Sequence, residues 1–219
     1  MITLSDCAEG IIFDLDGTLI DSRKDIVNAA NYVRQEMGYV PLPFDKIISF
    51  VGDGLMKMLE RSLEKENPGE EAVRMYKDFY SGHLLDNTRP YPGVMKVLDS
   101  LSGKKLGVLT NKPYEFSVCI LEGLGMKKHF EAVFGGGSTP FLKPDMRFMK
   151  VIMEKLGTDG SRTIMVGDHY TDIQVGAESG AKTVFAEYGF GQRRGLVPDF
   201  CIHRIEELLT IVGEGVVTE

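Results

Sequence analysis

Cysteine is scarce in this chain of 219 residues. Cys7, Cys119 and Cys201 form an odd set at wide spacing, which excludes a disulfide framework and a thiolate metal centre. They are expected to be small buried apolar groups in a reducing compartment. Long apolar runs are missing too. No stretch approaches the ~18 consecutive apolar residues of a spanning helix, so no membrane partner is expected. The opening MITLSDCAEG has neither the basic start nor the apolar centre of a targeting segment. Positive charge is in deficit, with 25 Lys and Arg against 32 Asp and Glu for a net charge of −7. The basic residues form no stripe interleaved with aromatics, so nucleic acid is not an expected partner. Internal repeats and low-complexity tracts are also absent. The expectation is a soluble, cytoplasmic protein, monomer or homodimer. An acidic chain of this kind takes an anionic small molecule only where a metal, a lysine or backbone amides reverse the field locally.

The residues present sort into two kinds of pattern. Ile11, Ile12 and Phe13 read as a buried strand. About seventy residues of helical periodicity follow. Asp21 and Ser22 are placed to cap a helix over Ile26, Val27, Ala30, Val33 and Met37, with Gly38 as its stop. A second helix carries Leu55, Met58, Leu59 and Leu63, and a third Ala72, Val73, Tyr76, Phe79 and Tyr80. From Arg89 onward helices and short apolar strands alternate. Strands are predicted over 106–109, 132–134, 163–166 and 183–186, and helices over 94–101, 116–124, 148–156, 172–179 and 205–212. Alternation of this kind specifies a parallel sheet covered on both faces. A crossover needs only about a dozen residues, so the helical stretch is an inserted lobe. The expected architecture is α/β: a Rossmann-like doubly wound core over 1–17 and 88–219, with a helical cap over 18–87. Residues 18–22 and 86–92 are the linkers.

Ligands of open parallel sheets bind at the carboxyl ends of the strands. Those ends carry Asp14 and Asp16, Thr110 and Asn111, and Asp168. Brought together with Asp172, the four acids would repel one another strongly. A hard divalent cation would resolve the conflict, and Mg2+ suits a few carboxylates completed by water and phosphate. Lys143, in a loop before Pro144, supplies further positive charge. A calcium loop starting at Asp14 would need glycine at its sixth position, where Leu19 stands. YGFGQRRG lacks the third glycine of a dinucleotide fingerprint, because Arg194 occupies its place. It reads as a loop beside the site, with Arg193 and Arg194 exposed.

Four motifs, FDLDGT, LTN, LKPD and VGDHYTDI, stand in an order that resembles the phosphatases of the haloacid dehalogenase superfamily over nearly the whole chain. The helical insertion resembles the small cap of one subclass. FDLDGTLIDS, FVGDGL, RPYPGV, LTNKP and VGDHYTDI together are similar to phosphoglycolate phosphatases. The resemblance implies that Asp14 is a nucleophile forming an aspartyl-phosphate and that Asp16 is the general acid, then base. It implies magnesium on Asp14, Asp168 and the backbone carbonyl of Asp16. Thr110 and Lys143 would hold the phosphoryl oxygens, Asp172 would orient Lys143 or a water from behind, and Gly17 supplies backbone freedom.

In the cap, Gly52 and Gly54 precede a helix whose first amides suit an anionic group, although a glycine pair is also an ordinary turn. Asp53 between them would oppose a carboxylate if it pointed inward. Lys57, Arg61, Arg23 and Lys112 are candidate cations for the far end of the substrate, and His169 stands close enough to Asp168 to line the pocket. The expected activity is hydrolysis of a small phosphate ester, with 2-phosphoglycolate foremost. A phosphosugar mutase similar to beta-phosphoglucomutase or a pyrophosphatase would use the same motifs. A non-enzymatic receiver is disfavoured by Asp16 and the cap, and a dehalogenase has no use for Asp16.

Overall fold

The computed structural model describes residues 8–213. The chain opens with strand β1 (Gly10–Phe13), then a two-residue strand β2 (Ile20–Asp21). Four helices follow: α1 (Arg23–Glu36), α2 (Phe44–Ile48), α3 (Leu55–Leu63) and α4 (Gly69–Gly82). Strand β3 (Arg89–Pro90) leads back into alternating elements. These are α5 (Val94–Ser100), β4 (Lys105–Pro113), α6 (Tyr114–Gly123), β5 (Ala132–Gly136), α7 (Met146–Leu156), β6 (Thr163–Gly167), α8 (Tyr170–Glu178), β7 (Lys182–Ala186), β8 (Phe200–Ile202) and α9 (Glu207–Ile211).

Six strands form one parallel sheet in the order β5-β4-β1-β6-β7-β8. The expected doubly wound sheet is therefore present. Its pleat sends Ile11 and Phe13 of β1 into one buried cluster and Ile12 into the opposite one, so both faces are covered. The winding reverses at β1, which lies between β4 and β6. That is the topological switch point where open sheets bind ligands. Helices α1, α3 and α4 pack a separate apolar cluster that includes Ile26, Ala30, Val33, Leu59, Leu63 and Tyr80, with Phe116 of α6 at its boundary.

Four details depart from expectation. The linkers are zipped by an antiparallel ribbon, Ile20 opposite Pro90 and Asp21 opposite Arg89. Two-residue strands leave no period to read. Helix α2 and strand β8 are also too short to signal themselves. Ser22 is the N-cap residue of α1, but its hydroxyl makes no cap bond and donates to Asp16 Oδ1 instead. The cysteine expectation fails where it can be checked: Cys119 and Cys201 are exposed, while Cys7 lies outside the described residues. None of the described helices is long and apolar enough to cross a membrane.

The second linker is fastened to α1 by one carboxylate. Asp25 is buried and accepts hydrogen bonds from Asn87 N (2.9 Å), Asn87 Nδ2 (2.7 Å), Thr88 N (2.8 Å) and Thr88 Oγ1 (2.8 Å). Burial alone would raise its pKa. The bonds from Asn87 and Thr88 outweigh burial and hold it below the usual carboxylate range. Asp25→Ala strips the acceptor from four donors, so it is expected to cost roughly 2–4 kcal/mol of stability. Urea unfolding of the two proteins measures this, and a loss under about 0.5 kcal/mol would mean that water replaces the carboxylate.

Candidate active site

The carboxyl ends of β1, β4 and β6 bring Asp14, Thr110, Asn111, Lys112 and Asp168 to one cavity between the sheet and helices α1, α3 and α4. β4 reaches it by an irregularity. Its pairing with β5 shifts between Leu109 and Pro113, and the three polar residues Thr110, Asn111 and Lys112 fall in that break.

Asp14 and Asp16 face different partners. Asp14 Oδ1 accepts from Leu15 N at 2.7 Å and lies 2.9 Å from Lys143 Nζ. Lys143 also bonds Asp172 Oδ1 at 2.6 Å, so one buried ammonium bridges two acids. Asp172 Oδ2 accepts from His169 N, closing the first turn of α8, which begins two residues before the predicted start. Asp16 is held instead by Lys112 Nζ, 3.1 Å from both carboxylate oxygens, and by the Ser22 hydroxyl. Lys112 completes its contacts on Tyr80 Oη at 2.7 Å. Gly17 separates the two acids with φ +84°, and its amide donates to Ile20 O. A side chain there would meet Asp168 Oδ2 at 2.0 Å, so only glycine lets the chain pass so close.

Asp168 is cradled by backbone. Its Oδ2 accepts from Phe190 N (2.9 Å) and Gly191 N (2.7 Å), and Thr18 Oγ1 donates to Oδ1 at 3.3 Å. The YGFG loop thus sits beside the site, and Arg193 and Arg194 are exposed as expected. Asp14, Asp168 and Asp172 each offer an oxygen, all within 4.8 Å of one another. Fully ionised, the four acids Asp14, Asp16, Asp168 and Asp172 face the two ammonium groups of Lys112 and Lys143, a deficit of two positive charges. Burial pushes the Asp14 carboxyl up to about 6 against the opposing pull of Lys143. Burial, then the charges of Asp14 and Asp172, push Asp168 well above the usual range. Burial lowers His169 to about 4, so its ring is neutral and supplies no compensating charge. An all-oxygen donor set short of two charges fits a hard divalent cation.

Other predicted residues take different places. The Thr110 hydroxyl accepts from Lys112 N at 3.2 Å and lines the cavity. Asn111 lines the cavity, and its side chain bonds backbone groups. Its Nδ2 donates to Gly52 O and Lys143 O (both 2.9 Å) and its Oδ1 accepts from Lys143 N (2.8 Å), so it positions Lys143 and ties the cap to the core. Gly52 and Gly54 line the cavity. Asp53 turns away to Arg61 (2.6 Å) and Tyr170 (2.7 Å), which removes the conflict its charge posed and uses up Arg61. Lys57 is a correction: it is exposed on α3 and paired with Glu60 at 2.6 Å, because helical phase turns Met58 and Leu59 inward in its stead. Arg23 is paired with Asp21. Of the four candidate cations, Lys112 lines the cavity. Sequence reasoning missed Ser22 and Tyr80, whose patterns read as a helix cap and a core position.

The cavity is concave and lined by apolar side chains such as Ile26, Met58 and Phe116 with a few convergent polar groups, the make-up of a small-molecule site. Residues 11–186 match the family model described as haloacid dehalogenase-like hydrolase. The chain belongs to that family. Among its relatives are the phosphoglycolate phosphatase of Aquifex aeolicus, 34% identical over 94% of this chain and 98% of the relative, and that of Chromobacterium violaceum, 32% identical over 94% and 97%. A crystal structure of a predicted phosphoglycolate phosphatase from Haemophilus somnus superposes with a TM-score of 0.86 at 26% identity, covering 93% of this chain and 97% of that one. As a haloacid dehalogenase-like hydrolase the chain is an enzyme, and its fold is that of the family's structural neighbours.

Proposed function

We propose that this hydrolase is a cytoplasmic, magnesium-dependent phosphomonoesterase that cleaves a small phosphorylated metabolite, 2-phosphoglycolate foremost, through an aspartyl-phosphate. The observation that carries the reading is the unequal treatment of two acids one residue apart. Asp14 points to Lys143 and the acidic cluster, while Asp16 points to Lys112, Ser22 and the cap. A nucleophile belongs beside the phosphoryl group, and a proton donor belongs on the leaving-group side.

In this reading the Asp14 carboxylate forms a bond to phosphorus as the ester P–O bond breaks, and Asp16 gives its proton to the departing oxygen. Asp16 then takes a proton from water, whose oxygen attacks the phosphoryl group and returns Asp14 as a free carboxylate. Lys143 and the Thr110 hydroxyl stabilise the transferring oxygens. Asp172 and Asn111 hold Lys143 in place from its side-chain and backbone ends. Asp14, Asp168 and the backbone carbonyl of Asp16 would hold the magnesium, with Asp172 behind them. When bound, the ion supplies two positive charges to the phosphoryl oxygens. The lobe over 18–87 acts as the cap of a core over 1–17 and 88–219, and the ribbon joining the two linkers supports that division. The phosphoglycolate phosphatases among its relatives support the choice of phosphoglycolate.

Initial rates of phosphate release test the reading across phosphoglycolate, pyrophosphate, nucleotides and hexose phosphates, with and without magnesium. The expected result is magnesium-dependent release, fastest from phosphoglycolate. Isomerisation of a hexose phosphate without net release, given a bisphosphate primer, would replace hydrolase by mutase.

A further inference from the structure

Two tyrosines of the cap carry protons that the described residues leave unused. Tyr76 and Tyr80 lie one turn apart on α4 with ring centroids 5.3 Å apart, and both line the cavity. They are 4% and 1% exposed, so bulk water does not satisfy them freely. Tyr80 Oη accepts from Lys112 Nζ, yet among the described residues nothing accepts its own proton, and Tyr76 Oη has no hydrogen-bond partner there at all. Burial pushes both phenols well above their usual range, which keeps them protonated donors. Packing explains the rings but not the hydroxyls, which phenylalanine would lack, and neither oxygen is among the buried side-chain atoms left without a partner, so Tyr76 Oη opens onto the cavity that it lines. The neighbouring wall, Ile26, Leu55, Met58 and Phe116, offers no acceptor side chain.

We propose that Tyr76, Tyr80 and Lys112 form a subsite that binds a carboxylate on the leaving group of the substrate. The proposal rests on the phosphomonoesterase reading above and adds the residues that would select phosphoglycolate. Lys112 contacts Asp16, the group that must reach the ester oxygen, and in phosphoglycolate the carboxylate lies one carbon beyond that oxygen. A group beside Asp16 is therefore beside the carboxylate. The ammonium carries three protons. Its bonds to the two Asp16 oxygens and to Tyr80 Oη engage all three, so a ligand carboxylate replaces one of the two Asp16 contacts. With Asp16 holding the proton it gives to the departing oxygen, the Lys112 charge is left to the substrate carboxylate, and the two O–H groups supply directed donors beside it. An ester with a methyl group in the same place leaves those donors unpaired, which is how a polar site rejects an apolar analogue.

The test compares kcat/KM for 2-phosphoglycolate and ethyl phosphate in the wild type and in the Tyr76→Phe/Tyr80→Phe double variant, which keeps both rings. The expected result is a wild type that prefers phosphoglycolate and a double variant whose preference falls about 10- to 100-fold, the scale of a lost hydrogen bond to a charged group. The single Tyr76→Phe and Tyr80→Phe variants read the same ratio with one hydroxyl removed each, should the double substitution prevent folding. A ratio unmoved by these substitutions overturns the subsite. So does a wild type that hydrolyses both esters equally well, and in that case the phosphomonoesterase reading stands. Hydrolysis of neither ester overturns both.

Discussion

Replacing Asp14 with asparagine is expected to lower phosphate release by at least about four orders of magnitude, as loss of an attacking group does elsewhere. The fold should survive the change. The Leu15 amide that now donates to Asp14 Oδ1 finds the same acceptor in an asparagine oxygen. Lys143 keeps its 2.6 Å bond to Asp172, so its charge is not stranded. What disappears is a nucleophile: an amide oxygen does not form a stable acyl phosphate and leave again. Initial rates on phosphoglycolate, together with circular dichroism to confirm folding, check the point. A variant retaining a tenth of the wild-type rate would remove Asp14 from that role and shift attention to direct attack by water.

The sequence exposes the chemistry of this site more readily than its specificity, and the reason is geometric. Strand ends in a parallel sheet all face one edge, so once the alternation after Arg89 defines the sheet, Asp14, Thr110 and Asp168 must converge. Lys143 is placed by its own motif. The cap residues have no such rule. Lys57 and Met58 are adjacent in sequence, and only the phase of α3 against α1 and α4 decides that one is exposed and the other buried. Tyr76 and Tyr80 recur at core spacing because they are core residues along their rings, and nothing in that spacing shows that their hydroxyls meet Lys112 or the cavity. Ser22 misleads for a related reason. Its position promises a helix cap, but Asp16 lies within its reach after the Gly17 turn, and a carboxylate is a stronger acceptor partner than a backbone amide is a donor. Asn111 likewise carries the look of a ligand contact, while its side chain is spent on backbone groups that fix Lys143.

Magnesium is expected to raise the midpoint of thermal unfolding, and by more at pH 8 than at pH 5.5. The sign follows from the raised pKa values. An acid whose folded pKa lies above its unfolded one binds protons more tightly when folded, so stability is lost as pH climbs from the unfolded value through the folded one. For Asp14 that window opens near the ordinary 3.8 and reaches about 6, with burial the main cause. For Asp168, pushed up by burial and then by the charges of Asp14 and Asp172, the loss has the same sign. The metal-free protein therefore carries the full Asp14 penalty at pH 8. There the cation meets an Asp14 carboxylate already ionised, whereas at pH 5.5 it must displace the proton that itself relieves the repulsion. At roughly 100 times its Kd the ion contributes about 2.7 kcal/mol, or roughly 5–10 °C for a chain of this size, at the higher pH. Differential scanning fluorimetry at both pH values, with EDTA as the metal-free state, measures the difference. Asp168→Asn should remain folded and lose most of the response, because it deletes a cluster oxygen's charge without unpairing Lys143. Equal shifts at the two pH values would mean that magnesium binds somewhere other than this buried acidic cluster.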